Sequence, residues 1–243
     1  MKISSSIVLV TGANRGLGLA LVKGLLGRGA ERVYAAARSI ESLDTALGLD
    51  RERVVPLELD VTSAESVERA VDQAREVNLL VNNAGVLASF DVLQESEERL
   101  HADIEVNYFG PLRLARAFAP VLTLSGRSEA AIVNVLSVVS LASMPALGGY
   151  SASKAAAHSL TQSLRAQLQK RGLAVFAVYP GPIDTDMIKG FDMPKTSPAE
   201  VAKAILDGVE AGDPDIYPDE ASRGFSRIWQ ADPRALERQF AAG

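Results

Sequence analysis

A short aliphatic run, Ile7, Val8, Leu9 and Val10, leads directly into Thr11-Gly12-Ala13-Asn14-Arg15-Gly16-Leu17-Gly18. The run lacks polar alternation, as expected of a strand covered on both faces. An amphipathic stretch over residues 17–26 follows and ends at Gly27 or Gly29, and residues 32–37 form a second apolar run. Strand, glycine turn, helix and strand within about 30 residues make a βαβ unit, whose crossover should be right-handed. That unit restricts the chain to folds built on a parallel sheet.

The same alternation continues. Strands are expected at 54–59, 78–81, 131–136, 174–179 and, short, at 215–217. Thr62-Ser63-Ala64-Glu65 and Ser197-Pro198-Ala199-Glu200 both have the form of a capping box opening a helix. Residues 96–119 read as one long helical region with Pro111 inside it, so a kink or interruption is expected near 107–110. Residues 150–170 read as a helix ended by Gly172. The tail, 218–243, looks helical and polar, with Trp229 and Phe240 as anchors. The pattern predicts an α/β fold, a doubly wound parallel sheet of seven strands with helices on both faces. No linker or repeat divides residues 1–243, so a single domain is expected. Its ligand site belongs at the carboxyl ends of the strands.

Composition narrows the partners. The chain has 243 residues, of which 47% are hydrophobic, and a net charge of −5. An acidic chain does not bind nucleic acid or an anionic membrane by bulk attraction. There is no cysteine, which removes disulfides, thiolate nucleophiles and thiolate metal ligands, and two histidines suggest no transition-metal site. No apolar run reaches the ~18 residues of a membrane span. The first residues read as a strand, not a signal peptide, so a cytoplasmic protein is expected.

The strand ends carry the chemistry. Gly12, Gly16 and Gly18 depart from the G-x-G-x-x-G spacing but share its physics: a tight turn, close approach of a diphosphate and a helix N-terminus offering free N–H groups. A plain tight turn is the alternative. After the second strand stands Arg38, where an acid would select the 2′-hydroxyl of NAD, and no carboxylate follows before Glu41. Arg38, with Arg15 as second cation, suits the 2′-phosphate of NADP; the alternative is two solvated surface arginines. Asp60 and Val61 follow the third strand. They suit an adenine amino group and ring, or Asp60 is simply a charge at a helix start. Asn82-Asn83-Ala84-Gly85 is either a cofactor-side turn or an ordinary one. Tyr150 and Lys154 are four positions apart, hence on one helix face, and the alternative is an ordinary Tyr/Lys pair at the start of a surface helix. An ammonium that close to a phenol is expected to lower its pKa below about 10, giving a proton donor usable near neutral pH.

Thr11 to Gly18, Asn82 to Gly85, Asn107, Ser137, Tyr150, Lys154 and Pro180-Gly181 occur in the order and at the spacing of the short-chain dehydrogenase/reductase family. The chain resembles the compact members of that family over residues 6–217. The resemblance implies a Rossmann fold and a NADPH-dependent reduction of a ketone or aldehyde, reversible as an alcohol dehydrogenase. Tyr150 would protonate the carbonyl oxygen. Lys154 would lower the phenol pKa and bind the nicotinamide ribose. Ser137 would hydrogen-bond the substrate oxygen, and Asn107 would kink its helix and hold a water in a relay from Lys154. Two donors aimed at one oxygen stabilise the charge that hydride transfer builds there. Leu136 stands where the family often has a second serine, and Ser140 reads as a loop residue. The resemblance places NADP(H) against Gly12, Asn14, Arg15, Gly16, Leu17, Gly18, Arg38, Asp60, Val61, Asn82, Ala84, Gly85, Tyr150, Lys154, Pro180, Gly181, Ile183 and Thr185. Asp184 and Asp186 read as caps or solvated charges, His101 as a solvated helix face and His158 as structural. Val139, Met144, Leu147, Met187, Ile188, Phe191 and Met193, with Ser137, flank the substrate, which suggests a small apolar carbonyl or alcohol. Residues 187–200 include a candidate lid. A homodimer or homotetramer is expected through the helices of Asn107 and Tyr150. A NADP-binding sensor on the same fold is the alternative, but it has no need of Tyr150, Lys154, Ser137 and Asn107 together. Epimerases and dehydratases on this scaffold usually have longer chains.

Overall fold

The structure, a computed structural model, describes residues 1–242 except Ser125, Arg127 and Ser128. Gly243, the end of the expected tail, lies outside the described residues. Seven strands form one parallel sheet: β1 (Ile7–Thr11), β2 (Arg32–Ala37), β3 (Val54–Glu58), β4 (Leu79–Asn82), β5 (Ala130–Val135), β6 (Leu173–Val178) and β7 (Asp215–Ile216). Their order is β3-β2-β1-β4-β5-β6-β7, so the chain reverses direction across the sheet between β1 and β4. The helices are α1 (Gly16–Gly27), α2 (Asp44–Leu47), α3 (Ala64–Gln73), α4 (Glu97–Ile104), α5 (Gly110–Leu124), α6 (Gly148–Gln169), α7 (Pro198–Ala211), α8 (Glu220–Ala231) and α9 (Pro233–Ala242).

The apolar strands follow from burial on both faces. Val8 and Val10 of β1 face one core with Leu21 and Leu25 of α1 and Ile205 of α7. Ile7 and Leu9 face the other, with Val67 of α3 and Leu114 and Phe118 of α5. Every second residue enters a different layer, so neither layer tolerates a polar stripe. Among the described residues no helix is long and apolar enough to cross a membrane.

Local chemistry shifts several expected boundaries. The cap of α3 is Ser63, whose hydroxyl accepts from the Ser66 N–H at 3.2 Å. Thr62 instead donates to Asp60, and Glu65 pairs with Arg69, so the first expected capping box does not form. The second does, at Ser197 and Glu200. Asn78 lies outside β4 because its side chain staples two neighbouring strands, accepting from the Ile7 N–H and donating to the Glu129 carbonyl. The region expected as one helix is α4 and α5 joined by a π-helical segment, Glu105–Phe109, which ends two residues before Pro111. Proline cannot supply the N–H that a regular α ladder needs, and the wider turn absorbs the defect. The short turns between β2 and β3 carry no periodic signal and went unanticipated. The tail is amphipathic more than polar: Leu236 and Phe240 are buried and Trp229 is half-buried against them.

Candidate active site

A cleft of about 840 Å³ opens at the carboxyl ends of the strands. It runs from the turn after β1, past the ends of β2 and β3, to the loops after β4, β5 and β6. The turn is shaped by Gly12 and Gly16, both in the left-handed region (φ +64° and +54°). A Cβ on Gly18 would sit 2.0 Å from the Gly12 carbonyl oxygen, so only glycine lets α1 start this close to β1. No side chain caps α1 and no acid lies in its first turn. Its leading N–H groups and positive end therefore face the cleft unneutralised.

Asn83, not Asn82, ties this turn to the end of β4. Its amide donates to the carbonyls of Thr11 and Gly12 at 2.9 and 3.2 Å, while the Thr11 hydroxyl accepts from the N–H groups of Asn83 and Ala84. Asn82, expected at the cofactor, is buried beneath the cleft and donates to Asn134 at 2.7 Å. Asn134 in turn donates to Thr161 of α6. Strand alternation decides this: successive residues point to opposite sides, so only one of the two asparagines can face the turn.

The two arginines differ. Arg15 pairs with Asp186 at 2.9 Å across the cleft mouth, both heads well exposed, so Asp186 is a partner and not a free surface charge. Arg38 is exposed, lines the cleft and has no hydrogen-bond or ion-pair partner among the described residues. Burial pushes the Asp60 carboxyl up. Hydrogen bonds from the Thr62 N–H and hydroxyl outweigh it, aided by the charges of Arg38 and Arg113, and hold it below the usual carboxylate range.

Tyr150, Lys154 and Ser137 line the cleft, and the buried Asn107, which does not line it, lies behind Gly85. A Cβ at Gly85 would lie 3.1 Å from Asn107 Oδ1 and 3.6 Å from Lys154 Nζ. Lys154 is buried, and its ammonium donates to the Val135 carbonyl at 2.9 Å while lying 5.8 Å from the centre of the Tyr150 ring. Burial pulls the Lys154 ammonium down to about 8, against the favourable charge of Asp103. The phenol departs from expectation. Burial raises the pKa of Tyr150, the Asp103 carboxylate raises it further, and the Ser137 hydroxyl acts in the opposite direction. The physical reason is that desolvation of the phenolate dominates and the ammonium points to a backbone carbonyl, not to the phenol.

Asn107 lies inside the π-helical segment. Its Oδ1 accepts from the Val86 N–H at 3.0 Å, and its Nδ2 donates to the Val86 carbonyl and the Ser153 hydroxyl, both at 2.9 Å. Both ends of the amide are thus occupied by protein. Ser137, at the end of β5, accepts from the Val139 N–H at 3.4 Å and lines the cleft. Ser140, expected in a loop, instead ends a 3-10 turn, Val138–Ser140, and its buried hydroxyl donates to the Ser137 carbonyl. Pro180, Gly181, Ile183 and Thr185 line the cleft opposite, where Ile183 bridges to Thr196.

Two carboxylates escaped the sequence reading. Asp103 is fully buried and accepts from the N–H groups of Ala88 and Ser89 and from the Ser89 hydroxyl. It stands four residues before Asn107, and that spacing on one helix face was the available signal. Asp219 accepts from the Gly181 N–H at 2.8 Å. The apolar end of the cleft is lined by Val139, Met144, Leu147, Met187, Ile188, Phe191 and Met193, as expected, and also by Ala221 and Phe225 of α8, which no local pattern identified. Phe191 stacks on Phe90 at 6.4 Å between ring centres. His158 faces away and contacts the Tyr179 hydroxyl at 2.9 Å. Among the described residues no cluster of His, Asp and Glu forms a metal site.

Residues 6–195 match the short chain dehydrogenase family. The chain is 34% identical over 203 residues to the short chain dehydrogenase pigC of Monascus ruber, covering 78% of this chain and 66% of that protein, just under two thirds of its length. Among solved structures it is similar to a short chain dehydrogenase from Burkholderia cenocepacia J2315 in complex with NADP, at 40% identity and a TM-score of 0.92, covering 99% of both chains. It is also similar to an alcohol dehydrogenase from the archaeon Thermococcus sibiricus complexed with 5-hydroxy-NADP, at 29% identity and a TM-score of 0.78, covering 87% of this chain and 95% of that one.

Proposed function

The chain belongs to the short-chain dehydrogenase family, and we propose that it uses NADPH to reduce a small apolar ketone or aldehyde to an alcohol, reversibly. One observation carries the reading: Tyr150, Ser137 and Lys154 share a cleft with an uncapped helix N-terminus and the unpaired Arg38. NADP is what the Burkholderia and Thermococcus proteins hold, the latter as its 5-hydroxy form. The residues here fit it. The leading N–H groups of α1 and the turn from Gly12 through Asn14, Arg15, Gly16 and Leu17 to Gly18 suit the diphosphate, and Arg38 suits the 2′-phosphate. Asp60 and Val61 would flank the adenine, Ala84 and Gly85 the middle of the cofactor, and Pro180, Gly181, Ile183 and Thr185 the nicotinamide.

The bound cofactor supplies the hydride. The chain's residues do the rest. The Tyr150 hydroxyl gives its proton to the substrate oxygen as negative charge grows there, and the Ser137 hydroxyl donates to the same oxygen. The raised phenol pKa keeps the Tyr150 proton in place throughout the neutral range but makes the phenol a weaker acid, so the transfer relies on stabilisation of the phenolate that forms. The Lys154 ammonium, held by Val135, stabilises the phenolate left behind. Asn107 fixes Val86 and Ser153, and through them the wall beside Gly85. Apolar residues at the far end would exclude water from the reacting carbonyl. Residues 187–200 would act as a lid, and the helices bearing Asn107 and Tyr150 as an oligomer interface.

The test is NADPH absorbance loss with a panel of aryl and aliphatic ketones. Tyr150→Phe should lower kcat by about 10²–10⁴-fold with NADPH binding largely unchanged. Turnover retained by that variant would remove Tyr150 as the proton donor.

A further inference from the structure

The C-terminal helices are seated on the cleft more tightly than a tail should be. Asp219 caps α8: its buried carboxylate accepts from the Ser222 N–H and from the Gly181 N–H, each at 2.8 Å. A Cβ on Gly181 would come within 2.7 Å of that carboxylate, so α8 sits as close to the loop after β6 as a backbone allows. From this fixed start, Ala221 and Phe225, one helical turn apart, line the cleft. The Phe225 ring stands edge-on to Phe240 of α9, with centres 5.0 Å apart and planes at 73°. Phe240 is itself buried, in one apolar cluster with Val139, Met144 and Tyr150. The ring is therefore backed by a packed layer, and turning it away would uncover Phe240. A wall so held sets a size limit instead of adapting to whatever enters.

We propose that Phe225 is a specificity-determining residue: it limits the bulk of the apolar group that a substrate can carry beside the reacting carbonyl. The assignment rests on the reductase reading above. Removing its ring lengthens the apolar end of the cleft and takes away no polar group from Tyr150, Ser137 or the nucleotide end. One methylene in an apolar pocket changes discrimination by about 10–200-fold, so a whole ring has ample leverage.

The experiment compares acetophenone with the longer 2-acetylnaphthalene. Phe225→Ala should raise the ratio of kcat/KM, naphthyl over phenyl ketone, by at least about tenfold, and Phe225→Trp should lower it. Phe225→Leu, which retains an apolar contact with Phe240, should move the ratio the same way as Phe225→Ala and serves if the smaller residue unfolds the tail. Affinities are read separately from turnover in the Tyr150→Phe background with NADP bound. The signal is the emission of Trp229, the sole tryptophan, one turn beyond Phe225. Ratios within threefold of the parent in every folded variant would overturn the assignment and leave the reductase reading standing. A shifted binding ratio without turnover in the parent would overturn the reductase reading and support the wall. Failure of both ketones to bind in every folded variant would overturn both.

Discussion

Gly18→Ala tests whether the start of α1 is set by a steric limit. Gly18 has an ordinary helical backbone, so alanine costs nothing in φ. The cost is contact. The new Cβ would lie 2.0 Å from the Gly12 carbonyl oxygen, 2.8 Å from its carbon and 2.7 Å from Asn83 Nδ2. An ordinary C···O approach is about 3.3 Å, so the deficit is about 1.3 Å. The oxygen cannot retreat, because Gly12 is held in the left-handed region and Asn83 donates to it and to Thr11. The first turn of α1 must move out instead. Over-packing of this kind costs about 1–3 kcal/mol, and a fixed backbone partner puts this case at the upper end. Gly224 in α8 is the control, since a Cβ there meets nothing within 4 Å and alanine should stabilise the helix by about 0.5–1 kcal/mol. The two variants should therefore differ by about 3–4 kcal/mol in urea unfolding. Gly18→Ala should also weaken NADPH at least tenfold, because one lost N–H bond to a charged phosphate is worth about 1.5–3 kcal/mol. A Gly18→Ala protein within about 0.5 kcal/mol of its parent, with unchanged NADPH affinity, would refute the steric argument.

Two further outcomes follow from the charges in the cleft. Burial holds the Lys154 ammonium at about 8, while an unfolded lysine keeps its proton to about 10.4. Between those values the unfolded chain binds more protons, so Lys154 makes stability rise with pH, by at most about 1.4 kcal/mol per unit, and below pH 8 its burial is a net cost. Subtracting urea titrations of Lys154→Met from those of the parent should isolate that rise. Loss of the ammonium should also give kcat/KM an alkaline limb, which Asp103→Asn should move to lower pH because the carboxylate favours the protonated lysine. Arg38→Asp should lower kcat/KM with NADPH relative to NADH by at least about tenfold, the worth of one charge-assisted bond; an unchanged ratio would deny Arg38 the 2′-phosphate.

The sequence alone determined the layered architecture, because β-branched runs buried on two faces and amphipathic helices have only the doubly wound sheet as a common solution. It also placed Gly12, Gly16 and Ser137 at strand ends and Tyr150 and Lys154 on one helix face, since local turn chemistry and helical spacing are written in adjacent residues. The interruption before Pro111 was legible for the same reason. The tertiary structure alone decided which asparagine of Asn82-Asn83 faces the turn, that Arg15 is engaged by Asp186, that Asp219 holds the Gly181 N–H and that Phe225 lines the cleft. Each of these depends on a partner remote in sequence. It also reversed the expected pKa of Tyr150, because a neighbour four residues away can be read from the chain but the loss of water around a phenol cannot.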